Sequence, residues 1–187
     1  NTGQTHGHAF CIPDAIGAYE FLNRSHIPLD IALDEHLTPI TLGQYSVLFL
    51  SNSACLSDEQ CDVIRGFVAD GGTLIATHQT SLLDEWGQER GQFALADLLG
   101  VDCQGPSGDV KDSGRVLVPC TPELRSELGD LIFFYGVESA VSARSGTEVL
   151  CDSSSPEKVG AEHKFDPSQD YRTGAPAVTR NRFGKGQ

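Results

Sequence analysis

The sequence predicts an α/β fold built on a mostly parallel sheet with some antiparallel edge strands, and three observations carry that expectation. Helix and strand patterns alternate along the first half of the chain, which is the order produced by parallel strands joined through crossover helices. Ser46 to Leu50 is a continuous apolar run of strand length, expected to be covered on both faces. A well-marked helix then leads to a second run, Thr73 to Thr77, and a right-handed crossover makes the two strands parallel.

Taken in order, the opening NTGQTHGHAFC is polar and glycine-rich and reads as a loop. Pro13 and Asp14 start a helix whose Ile16, Tyr19 and Leu22 form a short apolar stripe ending near Asn23. Pro28 to Leu33 alternates like a strand, Asp34 to His36 is a polar turn, and Leu37 to Gln44 is a short connection into the central strand. After a loop, Ser57 precedes Asp58, Glu59 and Gln60. Its hydroxyl can accept a first-turn amide while Gln60 reaches back, which makes a capping box, with Leu56 and Cys61 as its hydrophobic staple. Cys61, Ile64, Phe67 and Val68 recur at helical spacing and leave Asp62, Arg65 and Asp70 to water. Gly71 supplies the left-handed stop.

Farther on, Gln88 to Gln92 is polar, and Phe93 to Leu99 reads as a helix closed by Gly100. Gln104 to Gly114 is expected to be an exposed loop. A strand at Arg115 to Val118 and a helical turn capped by Thr121, with Pro122 at its first position, come next. Leu131 to Tyr135, Val137 to Ala143 and Thr147 to Cys151 are β-type runs broken by Gly136 and Ser145-Gly146, in the manner of antiparallel edge strands. Asp152 to Arg172 is polar and expected to be mobile, Ala175 to Phe183 is a final strand, and Gly184 to Gly186 is a turn.

Composition narrows the function. A chain of 187 residues suits a single α/β domain with a substantial core. Its net charge of −13, with 13 scattered Lys and Arg, argues against nucleic acid or a membrane surface as partner. The six cysteines show no CxxC or zinc-ribbon spacing and read as reduced core thiols, with a cytoplasmic location expected. No signal-peptide pattern opens the chain, which starts at Asn1 and has no methionine, so it is expected to be a piece of something longer. No Walker loop, GxSxG elbow, HExxH or GxGxxG is present, and no cofactor is expected.

The run LSNSACLSDEQCDVIRGFVADGGTLIATHQTSLLDEWGQERGQFALADLLGV resembles the glutamine-amidotransferase-like accessory domain, the trimerisation domain, of family 42 β-galactosidases and related hypothetical glycosyl hydrolases. HIPLDI (His26 to Ile31) and TGAPAVTRNRFGKGQ (Thr173 to Gln187) extend the likeness, which is weak from Cys103 to Asp170. The resemblance implies a flavodoxin-like, class I amidotransferase-like three-layer sandwich. In that family a strand precedes the Asn1 loop and another follows Gln187, so residues 1–187 are expected to form one domain lacking its first and last strands. It also implies an oligomerisation role beside a barrel domain of the same polypeptide, in a homo-oligomer, with carbohydrate as a conceivable ligand. Hydrolysis would belong to the barrel.

Ligands of parallel α/β sheets gather at the carboxyl ends of the strands, here Ser51 to Ser57 and His78 to Gly87. Amidotransferase relatives place a nucleophilic cysteine at a tight turn after the strand, flanked by glycines. The equivalent Ala76-Thr77-His78-Gln79-Thr80 has neither, and Glu162 and His163 lie in a polar segment with no support as its partners, so that chemistry is not expected. His78 resembles the histidine found at this turn in trehalose-utilisation-type relatives, against the blander reading of an imidazole bonded to loop backbone. Asp84 and Glu85 are a carboxylate pair beside the only tryptophan, Trp86. Sequence neighbours rarely face each other across a sugar as glycosidase carboxylates must, so Trp86 is read as an interface anchor rather than a stacking platform. His6 and His8 have two-apart spacing but no third ligand in view, so no metal site is expected. The candidate ligand or interface loop is therefore His78, Gln79, Asp84, Glu85 and Trp86, with no catalytic residue. The alternatives are a stand-alone trehalose-utilisation-type carbohydrate enzyme or sugar-binding module using His78, Gln79 and Asp84, and an interaction domain unconnected to sugars.

Overall fold

The computed structural model describes residues 8–106, 115–134, 138–154 and 170–187. The chain divides into two units, one running to Leu98 and including Phe183–Gln187, the other Leu99–Arg182.

In the first unit, helix α1 spans His8–Arg24. It begins ahead of Pro13, so the proline sits inside the helix, where it withholds one amide from the backbone ladder instead of marking the start. The strand expected at Pro28 to Leu33 does not form. A strand needs a neighbour to take its amides and carbonyls, and this segment has no ladder among the described residues, with Ile31 and Leu33 exposed. Tyr45 Oη donates to Asp30 Oδ2 at 2.8 Å across it. A 3-10 turn, Asp34–His36, follows, and the amide of Leu33 donates to His36 Nδ1 at 3.1 Å. Short helix α2, Pro39–Leu42, has Thr38 Oγ1 accepting the Thr41 amide at 3.2 Å and proline at its first position.

The central strand-helix-strand forms as expected: β1 Val47–Leu50, α3 Asp58–Ala69 and β2 Thr73–Ala76, with β1 and β2 parallel and Val47 opposite Thr73. Ser57 Oγ accepts the Gln60 amide at 3.2 Å while Gln60 Oε1 accepts the Ser57 amide at 2.9 Å, the full capping box. Leu56, Cys61, Ile64 and Val68 are buried, and Gly71 adopts φ +121° just past the helix. Arg65 bonds both Asp62 and Asp97. Coverage of the sheet differs from expectation. Leu50 is buried, but Val47, Phe49 and Ile75, alternating on the opposite face, are 50%, 37% and 44% exposed.

Helix α4 is only Ala96–Leu99, although Phe93 and Leu95, ahead of it, are buried as a helix face would be. Phe183–Gln187 closes this unit as a turn, with the amide of Lys185 donating to the Ala69 carbonyl at 3.0 Å and that of Phe183 to the Gly186 carbonyl at 3.1 Å. Gly184, at φ +59°, lies so close to the end of α3 that a Cβ would meet Ala69 backbone atoms at 2.7 and 2.8 Å.

The second unit is antiparallel. Strand β3, Val101–Pro106, includes the start of the expected loop; it pairs with β6, Ser139–Ala143. The amide of Arg144 donates to the Gly100 carbonyl at 2.9 Å, and its Nε donates to Asp102 at 2.9 Å. A four-stranded sheet orders β5 Ile132–Phe134, β4 Arg115–Pro119, β7 Glu148–Ser154 and β8 Pro176–Arg180. Helix α5, Pro122–Leu128, is capped by Thr121 as expected. Val116, Val118 and Tyr171 form its core with Leu131 packed on them.

Asp152 to Ser154 belong to β7 and are buried, and Tyr171 is buried too, against the expectation of a mobile polar stretch. Two of the three side chains are held: the amide of Gly174 donates to Asp152 Oδ2 at 2.9 Å, and Ser153 Oγ donates to Glu138 at 2.7 Å, while Ser154 Oγ is buried with no hydrogen-bond partner among the described residues. Residues 107–114 and 155–169, which include the rest of that loop and the Glu162-His163 pair, lie outside the described residues.

The fold is α/β, with one parallel pair and antiparallel ladders elsewhere among the described residues. No described helix is long and apolar enough to cross a membrane. Cys61, Cys103, Cys120 and Cys151 are reduced and buried or half-buried, while Cys55 is exposed. Burial pushes the Cys61, Cys120 and Cys151 thiols up, with Asp152 adding to the effect on the last two, which keeps them protonated and poor nucleophiles.

Candidate functional site

Beyond their last residues, β1 and β2 stay joined through a polar zipper. The Thr77 amide donates to the Leu50 carbonyl at 3.1 Å, and the Asn52 amide to Thr77 Oγ1 at 2.9 Å. Asn52 Oδ1 accepts the Gln79 amide at 3.2 Å, and Thr80 Oγ1 donates to the Thr77 carbonyl at 2.8 Å. Farther out, the Ser81 amide donates to the Ser53 carbonyl at 3.0 Å and the Leu83 amide to the Ala54 carbonyl at 2.9 Å. Ser81 then fastens the next segment, its Oγ accepting the Leu95 amide at 3.1 Å.

Three non-glycine residues in this zipper, Asn52, His78 and Ser81, have left-handed backbone, with φ of 50°, 51° and 65°. Asn and His visit that region more readily than most residues, whereas Ser does so at a cost that the surrounding bonds must hold. Asn52 and Ser81 are buried, and neither stood out as a site residue in the sequence. The signal available for Asn52 was its position just past a buried strand, where a short amide can hold a left-handed turn.

His78 therefore occupies a sharp turn directly beyond β2. It is half-buried, and burial lowers its pKa below the usual imidazole value, with the Asp14 carboxylate of α1 working in the opposite direction. The residue at this turn is an imidazole rather than a thiol.

The rest of the predicted loop is a tight hairpin. Leu83 bridges Glu89, and the Asp84 amide donates to the Gln88 carbonyl at 3.0 Å. Asp84 Oδ1 accepts the amides of Trp86 and Gln88 at 3.0 and 2.7 Å, and Gly87 takes φ +78°. Asp84 Oδ1 shapes the turn, and its sequence neighbour Glu85 is exposed. Trp86 is 80% exposed at the tip. Arg90 anchors the base through Asp58 at 2.6 Å and the Leu56 carbonyl at 3.0 Å. The structure thus places Gln79 in the zipper, His78 at the elbow, and Asp84, Glu85 and Trp86 on the hairpin. His6 and the side chain of His8 lie outside the described residues, and no described group of His, Cys, Asp and Glu could hold a metal ion.

The elbow at His78 and the exposed hairpin beside it sit on an α/β fold that is shared with regions of β-galactosidase structures. The chain is similar to a region of the GH42 β-galactosidase Gan42B, with TM-score 0.74 and 18% identity over 100% of this chain and 24% of that one. A β-galactosidase from Bacillus circulans sp. alkalophilus gives TM-score 0.74 and 20% identity over 94% of this chain and 23% of that one. A ThuA-like protein from Bacteroides uniformis gives TM-score 0.62 and 15% identity over 97% and 75%. The chain thus spans about a quarter of the length of the β-galactosidases it resembles, as the sequence resemblance implied. No family model matches the chain, and no curated protein matches it.

Proposed function

We propose that this chain is a non-catalytic accessory domain of a larger glycoside hydrolase of the β-galactosidase type, serving subunit association. The observation that carries the reading is the extent of the match: the whole chain aligns with a quarter of a β-galactosidase chain. On this reading the chain belongs to one flavodoxin-like, amidotransferase-like three-layer domain. Its partners are a barrel of the same polypeptide and further copies in a cytoplasmic homo-oligomer.

The hairpin from Asp84 to Gln88 is the contact surface, with Trp86 as its anchor. A tryptophan held out by a turn already ordered loses little further freedom on docking, which suits an interface hot spot. Replacing Trp86 with alanine in the full-length protein should lower the assembled mass seen by light scattering, and an unchanged mass overturns the association role. The purified chain should release no product from an aryl galactoside, and turnover overturns the non-catalytic assignment.

The second reading is a stand-alone sugar-processing or sugar-binding protein, favoured by the 75% coverage of the ThuA-like protein. It uses His78, Gln79 and Asp84. Calorimetric titration with mono- and disaccharides separates the two: saturable heat lost in His78→Asn supports this reading, and no heat supports the first.

A further inference from the structure

Helix α1 carries a stripe that is matched to itself. Asp14, Gly17, Phe21 and Arg24 are spaced three, four and three residues apart, so they line one side of the helix, opposite Tyr19. That spacing is the seam along which helices pair. All four residues are exposed, and Phe21, at 66%, is more open than Ile16 or Tyr19.

Gly17 has no reason within the chain to be glycine. It weakens a helix interior, and among the described residues a Cβ there would meet nothing within 4 Å. The space above it is open to a side chain from outside. The charges then set a direction. Arg24 lies at one end of the stripe, 3.4 Å from Glu20, and Asp14 lies at the other.

We propose that this face of α1 is a self-association surface whose occupant is the same face of a second copy, antiparallel about a two-fold axis level with Tyr19. In that register each residue meets the one equally far beyond Tyr19 on the partner helix. Phe21, two residues after Tyr19, seats over the partner's Gly17, two before it. Arg24, five after, meets the partner's Asp14, five before, and lies between it and its own Glu20. The two-fold axis makes each contact twice. A parallel pair would set Asp14 beside Asp14 and Arg24 beside Arg24, which like charges oppose. At a net charge of −13 two copies repel at a distance, so the pairing depends on these local matches. It rests on the association reading only in that both join copies of this chain.

Sedimentation velocity of the 187-residue chain from micromolar to millimolar concentration should show a dimer. A monomer throughout overturns the proposal. Phe21→Asp should weaken the dimer about tenfold or more. So should Gly17→Leu, which fills the space while strengthening the helix itself, so that the loss cannot come from an unfolded α1. Asp14→Arg alone and Arg24→Asp alone should each weaken it about tenfold by setting like charges across the seam. Mixing those two single variants should restore it, because each supplies the charge the other lacks; a mixture no tighter than its components overturns the register and the proposal with it. Trp86→Ala should leave this dimer in place, so the hairpin role and the α1 pairing can fail separately. A dimer lost with Trp86→Ala and kept with Phe21→Asp overturns the α1 pairing.

Discussion

The parallel pair β1–β2 and the antiparallel sheet β5-β4-β7-β8 treat their apolar residues differently. In the antiparallel sheet Val116 and Val118 are sealed, and even Asp152, Ser153 and Ser154 are buried. In the parallel pair Leu50 is buried while Val47, Phe49 and Ile75 stay open. Antiparallel strands find partners through short connections, so such a sheet can assemble from one stretch of chain. Two parallel strands have few residues with which to cover both faces, and sheets of this type are stable when covered on both.

The sharpest way to break this comparison is to place a charge on each sheet. Val118→Lys should abolish cooperative unfolding of the second unit, because an unpaired ammonium buried there costs several kcal/mol. Val47→Lys should alter stability by no more than about 0.5 kcal/mol. Equal losses in denaturant melts would mean that the outer face of β1 is covered in solution. Next in size, Ile64→Ala should cost about 2–5 kcal/mol, since the side chain is wholly buried. That loss should fall on the first unit's transition alone if the two units unfold separately. Ser57→Ala should cost about 1 kcal/mol through the lost cap, read as a lower midpoint in urea.

Acid should separate the units with the smallest effects. The lowered pKa of His78 means that the unfolded chain takes up a proton first. Its contribution to stability is complete above the ordinary imidazole value near 6.5 and is lost as pH falls through the lower folded value. His78→Asn, which keeps a side chain tolerant of left-handed backbone, should flatten that dependence. In the second unit, hydrogen bonds from Arg172 hold the Asp170 carboxyl at about 2. Its contribution is present above the usual carboxylate range and fades as pH drops toward that value. Circular dichroism followed across both windows would show whether the two losses are distinct.

How much of this could be read in advance follows from where the information lies. The capping box at Ser57 and Gln60, the stop at Gly71 and the Thr121 cap are local chemistry, written in a few adjacent residues, and each forms as expected. The segment from Pro28 to Leu33 has the right alternation, but a strand is a property of two segments, and its neighbour is not in its own letters. Asp152 and Ser153 read as surface because they are polar, while Gly174 and Glu138, distant in sequence, satisfy them inside. At the candidate site, the positions of His78 and Asp84 were legible from the strand-helix-strand order. The left-handed turns at Asn52 and Ser81 were not, because neither residue type requires them.

The closing turn also has a consequence for how the polypeptide is made. Phe183–Gln187 is part of the first unit, yet the whole second unit is translated before it. Chains emerge from the ribosome at roughly 5–20 residues per second, so the α3–β2 corner must wait through all of that synthesis for Lys185 to reach the Ala69 carbonyl. The second unit waits almost as long for its own last strand, since β8 ends at Arg180, so the two units receive their closing segments nearly together.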